Sequence, residues 1–167
     1  MTPSRFKPRT PRRAAVFAAS LMFGLAAWLS APLPATAGGD VTDKAVMLFR
    51  DACLATAPAF DKAMAAAKKH GIKPQMDLGA SLVGMAPDGS YSLQVRGKKE
   101  CAVTAERSAG PAVAEQFRSV VGAAAGVPAA SLANEGPIQI TMRGQTFVVR
   151  HDRKGGEAYV IMSSAGL

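Results

Sequence analysis

Hydrophobic positions between Val41 and Gly71 repeat at helical spacing, and the remainder of the chain is read against that stretch. Val41, Ala45, Leu48, Phe49, Ala52 and Cys53 fall on one side of a helix, the i, i+4, i+7, i+8 stripe of a face turned to a core. Asp43, Arg50 and Asp51 fall on the other side, and Asp40 or Thr42 can cap the start, because a short oxygen-bearing side chain accepts the free N–H groups of a first turn. Pro58 lacks an N–H and disfavours helix in the residue before it. The pattern therefore predicts a break near Ala57 and a second helix with Pro58 in its first turn, burying Phe60, Ala63, Met64 and Ala67. Lys68, Lys69 and His70 close that helix as a solvated end, and Gly71 supplies the left-handed residue after it.

The period then shortens. Ile72–Gly79 contains Pro74 and reads as a loop, and Ser81–Ala86 reads as a short strand before the Pro87-Asp88-Gly89 turn. Tyr91, Leu93 and Val95 alternate with Ser92, Gln94 and Arg96, and Glu100–Glu106 returns with Cys101, Val103 and Ala105 on one face. Pro111 opens a third helix, capped by Ser108 or Gly110. Its apolar stripe runs through Val113, Phe117, Val120, Val121 and Ala124, with Glu115 and Arg118 pointing away. Val127–Gly136 is irregular, with a short turn at Ala129–Leu132. Three further strands follow, at Ile138–Met142, Thr146–His151 and Glu157–Ser163. In the last, Tyr159 and Ile161 face one way and Val160 and Met162 the other. The expected fold is α+β: an antiparallel sheet of about five to six strands in two meanders, packed against two N-terminal helices and one central helix. Periodicity leaves open whether the meanders form one sheet or two.

The N-terminus changes the charge argument. Residues 1–13 hold five basic side chains (Arg5, Lys7, Arg9, Arg12, Arg13) and no acid. An apolar run from Ala14 to Leu29 follows, then Pro32, Pro34 and the small-x-small Ala35-Thr36-Ala37. This is the pattern of a secretory signal peptide over residues 1–37, with cleavage between Ala37 and Gly38. An uncleaved membrane anchor is the alternative. Arg12-Arg13 is similar to a twin-arginine signal but lacks the hydrophobic residue expected soon after the pair, so the twin-arginine and Sec routes both stay open. No cysteine lies near the cleavage point, which excludes a lipoprotein anchor. The whole chain has 20 basic and 12 acidic residues, a net +8; removing the signal leaves 15 basic residues against the same 12 acids, a net +3. The high isoelectric point thus belongs largely to the discarded segment and does not argue for nucleic acid. Residues 38–167 are of a length for one domain and short for two.

Both cysteines lie in that part, and an oxidising compartment predicts a Cys53–Cys101 disulfide, the alternative being two separately buried thiols. There is no C-x-x-C, no nucleophile elbow, no His-Glu-x-x-His, no phosphate-binding glycine loop and no calcium loop, so neither a cofactor nor a metal is expected. His151-Asp152 is the nearest thing to an acid–base pair. Adjacent strand residues point to opposite faces, so the pair is expected to be a strand end entering a polar turn. Basic residues cluster at two hairpin tips, Arg96, Lys98 and Lys99 at one, Arg150, Arg153 and Lys154 at the other. If the tips share one end of the sheet, they form a patch for an anionic lipid headgroup or an acidic protein. Otherwise they are wet tips whose charge blocks edge-to-edge pairing. Aromatics do not interleave with these charges, which argues against a nucleic-acid platform.

Phe49-x-x-x-Cys53, then Pro58-x-Phe60, then a single Cys101 on a strand, resemble small exported, uncharacterised proteins of Gram-negative bacteria, in which an opening helix carries one cysteine and a strand its partner. The resemblance implies a periplasmic location and brings no activity with it; full secretion is the variant it leaves open. The expectation is therefore a non-enzymatic exported domain that binds a protein or cell-envelope component and meets the membrane only during export. The alternatives are a small periplasmic enzyme with polar residues around His151, and an assembly factor held at the membrane by an uncleaved N-terminus.

Overall fold

The computed structural model describes residues 44–106 and 112–164. The expected signal segment 1–37 with its expected Ala37/Gly38 cleavage point, Val41 and Asp43 of the first helical pattern, the caps expected at Asp40, Thr42, Ser108 and Gly110, and Pro111 lie outside the described residues.

Helix α1 covers residues 44–54, α-helical to Leu48 and then a π turn over Phe49–Leu54. The expected face is buried: Ala45, Leu48, Phe49, Ala52 and Cys53 are fully inaccessible. Val46 and Leu54 join it. The π turn explains Leu54, because i→i+5 bonding, seen from the Ala55 N–H to the Arg50 carbonyl at 2.9 Å, turns each residue through a smaller angle than an α-helix.

The second helix starts later than its proline suggested. The Ala57–Pro58 peptide is cis, Phe60 has φ 56°, and helix α2 begins only at Ala63, running Ala63–Ala67 with a 3₁₀ turn over Lys68–His70. Pro58 thus belongs to the bend between the helices rather than to a first helical turn. The left-handed backbone at Phe60 aims its ring into the core, 6.4 Å from the Phe147 ring. Phe60, Ala63 and Ala67 are buried as the spacing predicts, Met64 half-buried, and Gly71 closes the helix at φ 80°.

The end of α2 is not simply solvated. Asp51 on α1 is 2.9 Å from both His70 Nε2 and Lys69 Nζ and 2.7 Å from Arg50 Nε. Burial pushes the Asp51 carboxyl up, but the hydrogen bonds from Arg50, Lys69 and His70 outweigh it and hold the group well below the usual carboxylate range. Its contribution to stability is therefore present at neutral pH and is lost only as pH falls.

Seven strands form one antiparallel sheet: β1 (Lys73–Asp77), β2 (Leu82–Met85), β3 (Tyr91–Arg96), β4 (Glu100–Ala105), β5 (Ile138–Met142), β6 (Gln145–Asp152) and β7 (Glu157–Ser163), in the order β1-β2-β3-β4-β7-β6-β5. The two meanders are thus one sheet, joined where β4 pairs with β7. The strand count exceeds the expected five to six because β1 lies in the stretch that reads as a loop. Every residue of β1 is exposed, so no alternation marks it. It carries Pro74, which a sheet tolerates at its edge, and its register slips beside that proline.

One sheet face carries the core. Val95, Cys101, Ile161, Val149 and Ile138 sit opposite one another across five strands, and Leu93, Val103, Tyr159 and His151 form the next row. Helix α3 (Ala112–Ala125) runs between β4 and β5 in the chain and sets Val113, Phe117 and Val121 into that face. Val120 is only half-buried and Ala124 is exposed, so the stripe is narrower than its spacing implied. The rings of Phe49, Phe117 and Tyr159 meet with centroids 5.7 to 6.0 Å apart, and Cys53 of α1 bonds Cys101 of β4 at an S–S distance of 2.00 Å.

The disulfide spans 48 residues. By the chain-entropy argument a loop of that length restricts the unfolded chain enough to stabilise the fold by about 4 kcal/mol. The Cys53→Ala/Cys101→Ala double variant is expected to lose most of that in urea denaturation under non-reducing conditions; an unchanged midpoint would show that packing of α1 alone holds the sheet face.

Candidate functional site

The β6–β7 turn brings together what the linear pattern separated. His151 pairs with Tyr159 across the ladder and shares its face, while Asp152 pairs with Ala158 on the opposite one. The adjacent His151-Asp152 pair is thus split between faces, as strand geometry requires. The carboxylate that reaches the imidazole is Glu157, beyond the turn, with Oε2 2.6 Å from His151 Nε2. The other oxygen, Oε1, accepts from Arg153 Nε at 3.1 Å.

Burial makes this arrangement consequential. The Glu157 side chain is fully sealed, His151 is 9% exposed and Arg153 34% exposed. A lone carboxylate there would be costly, so the fold supplies a cation and a hydrogen-bonding ring. The imidazole also lies against two aromatic rings, 4.8 Å from Tyr159 and 5.2 Å from Phe117 of α3. His151 is therefore neither a bare strand end nor alone in solvent.

The turn itself is shaped by two residues. Asp152 Oδ1 accepts the Lys154 N–H at 2.9 Å, which holds the Asp152 carboxyl below its ordinary range. Gly156 has φ 148°, and a Cβ there would lie 2.7 Å from the Ala105 carbonyl oxygen. Only glycine lets the turn close against the end of β4.

Above the network lies a cleft of about 620 Å³, walled by Phe117 and Arg118 of α3, by residues 133–136, by the end of β6 from Arg150 to Asp152, and by Arg153 and Lys154 of the β6–β7 turn. Arg118, off the apolar stripe of α3 as its spacing predicts, is among the residues lining this cleft. A groove of about 420 Å³ on the other side of the same turn shares Arg150, Asp152 and Lys154 with it. Among the described residues the cleft lining contains no hydroxyl or thiol side chain; Asn134 and His151 line it beside the charged residues. Among the described residues no three His, Cys, Asp or Glu side chains converge as metal ligands.

The two basic tips do not combine. Arg96 faces Glu100 at one end of the β3–β4 ladder, whereas Glu157, next to the β6–β7 turn, faces Ala105 at the other end of β4. The five residue steps between them amount to about 17 Å along the strand. Arg96, Lys98 and Lys99 therefore form one group, with Arg96 3.4 Å from Glu100, and Arg150, Arg153 and Lys154 form another. The single patch that requires both tips at one end is not formed.

Glu157, Phe117 and Arg118 carry the site and stood outside the sequence candidates. One signal was legible: alternation in β7 puts Glu157 on the face of Tyr159. Its meeting with His151 needs the hairpin register, and the arrival of Phe117 and Arg118 needs the path of α3.

Replacing Glu157 by Gln keeps the shape but leaves Arg153 and His151 without their anion. The expected loss is about 2 kcal/mol in chemical denaturation at neutral pH, and Arg153→Met in the Gln background is expected to cost less than in the wild type. Additive losses would show that the two side chains do not act as a network. No protein-family model, no curated protein and no solved structure matches the chain.

Proposed function

We propose that the protein is an exported, disulfide-tied domain that binds a protein or cell-envelope component and does not turn over a substrate. The observation that carries this reading is the sealed Glu157. It is joined to both His151 and Arg153, so the acid–base groups beneath the cleft neutralise one another. A general base must be free to take a proton from a positioned reactant, and a covalent mechanism needs a nucleophile beside it. Among the described residues the cleft lining offers no hydroxyl or thiol for that part.

Export is supported by the basic, apolar and small-residue sequence of residues 1–37 and by the Cys53–Cys101 bond, which belongs to oxidising compartments. Among the described residues no helix is long and apolar enough to cross a membrane. The periplasm is the compartment that fits the resemblance to exported Gram-negative proteins.

A second reading keeps its motive. His151 lines the cleft with a carboxylate 2.6 Å away, the geometry of an oriented acid–base group in a small enzyme. Two measurements separate the readings. The protein isolated from the periplasm of a Gram-negative host is expected to have an intact mass beginning at Gly38, with both thiols blocked until reduction. A mass retaining residues 1–37 would favour the membrane-tethered alternative, and free thiols would overturn the oxidising compartment. Purified protein is expected to leave peptidoglycan, phospholipid and peptide substrates unchanged. Turnover of any of them that His151→Gln abolishes, with the fold intact, would replace the binding reading by the enzymatic one.

A further inference from the structure

We infer that the cleft between α3 and the β6–β7 turn is a binding site for a phosphate-bearing ligand. The inference rests on the binding reading above and names its ligand class.

Charge is the first ground. Four basic residues line the cleft, Arg118 from α3, Arg150 from the end of β6, and Arg153 and Lys154 from the turn, against two acidic ones, Glu135 and Asp152. Arg153 is paired with Glu157. Among the described residues Arg118 has no carboxylate within ion-pair distance, and Arg150 and Lys154 meet Asp152 only through longer-range attraction. Like charges gathered without partners on a concave wall repel one another, and an anion entering the cleft relieves that repulsion.

Geometry narrows the class. A carboxylate offers two oxygens, which a single guanidinium fork satisfies. Cations converging from a helix on one side and a hairpin on the other suit an anion with three oxygens spread around one centre, which is a phosphate. The cleft volume lies within the range of small-molecule sites.

The chemistry is shared by a soluble phosphomonoester and by a phospholipid headgroup, so the test has two arms. Phenyl phosphate is titrated into isotopically labelled mature protein and followed by amide NMR; vesicles of phosphatidylcholine with and without phosphatidylglycerol are assayed by co-sedimentation. Saturable shifts are expected at Gly136, Lys154 and Gly155, with benzoate binding more weakly. Arg118→Ala/Lys154→Ala is expected to weaken binding about tenfold or more. The distant Arg96→Ala/Lys98→Ala/Lys99→Ala triple is expected to leave it unchanged, denaturation midpoints confirming that each variant folds. If the alanine pair unfolds, Arg118→Gln/Lys154→Gln takes its place. Binding of phenyl phosphate alone supports the inference and assigns a soluble ligand. Vesicle binding lost in the Arg118/Lys154 pair supports it and assigns a lipid source. Absence of saturable binding in both arms, tighter binding of benzoate, or equal losses in the two sets of variants would overturn it. That result would leave a binding domain with another ligand, whereas His151-dependent turnover would end the non-catalytic reading without touching phosphate binding.

Discussion

The bond between Cys53 and Cys101 joins the two parts of the fold that burial alone would leave free to slide. Cys53 sits on the π turn that ends α1, and Cys101 sits on β4, the central strand and the one at which the two meanders meet. Around it the buried row Val95–Cys101–Ile161–Val149–Ile138 crosses the sheet, and the Phe49, Phe117 and Tyr159 rings close over the adjoining row. Much of the helical contribution comes from alanine, which approaches closely but removes little apolar area from water. A covalent tie at the centre of that interface adds to these contacts by restricting the unfolded chain.

The core face ends at the β6–β7 turn in a buried charge network. Tyr159 is followed along β7, toward the turn, by Glu157 on the same face, and the apolar row gives way to a carboxylate that cannot reach water. Arg153 pairs with it from the turn, and the His151 ring is hydrogen-bonded to it from the facing strand. The aromatic rings of Phe117 and Tyr159 clamp the imidazole. The side chains of His151, Glu157 and Arg153 are thus hydrogen-bonded to one another, with His151 and Arg153 also among the residues lining the cleft.

Sheet topology also decides how charge is distributed. Both basic tips belong to hairpins, and hairpins formed by successive strands of an antiparallel sheet alternate between its two ends. The β3–β4 and β6–β7 turns fall at opposite ends of β4 because β7 pairs with β4 antiparallel. The cationic partner of the β6–β7 turn comes instead from α3, through Arg118. The helix that covers the sheet thus also supplies the second wall of the cleft.

The linear pattern by itself determined the α+β class, the buried face of α1 and the centre of that of α3, the alternation of β3, β4 and β5 to β7, the left-handed close at Gly71 and, from cysteine count and an expected export signal, the Cys53–Cys101 pairing. These are local periodicities or a choice with one partner, so no distant contact is needed to read them. Strand β1 escaped because a strand wet on both faces has no alternation to show. The late start of α2 escaped because a proline in a helical first turn and a proline in a bend have the same local signature. The joining of the meanders, the separation of the basic tips, and the meeting of His151 with Glu157, Arg153, Phe117 and Arg118 were decided only by tertiary structure. Each depends on ladder register and on where α3 crosses the sheet, and both are set by packing among residues far apart in the chain.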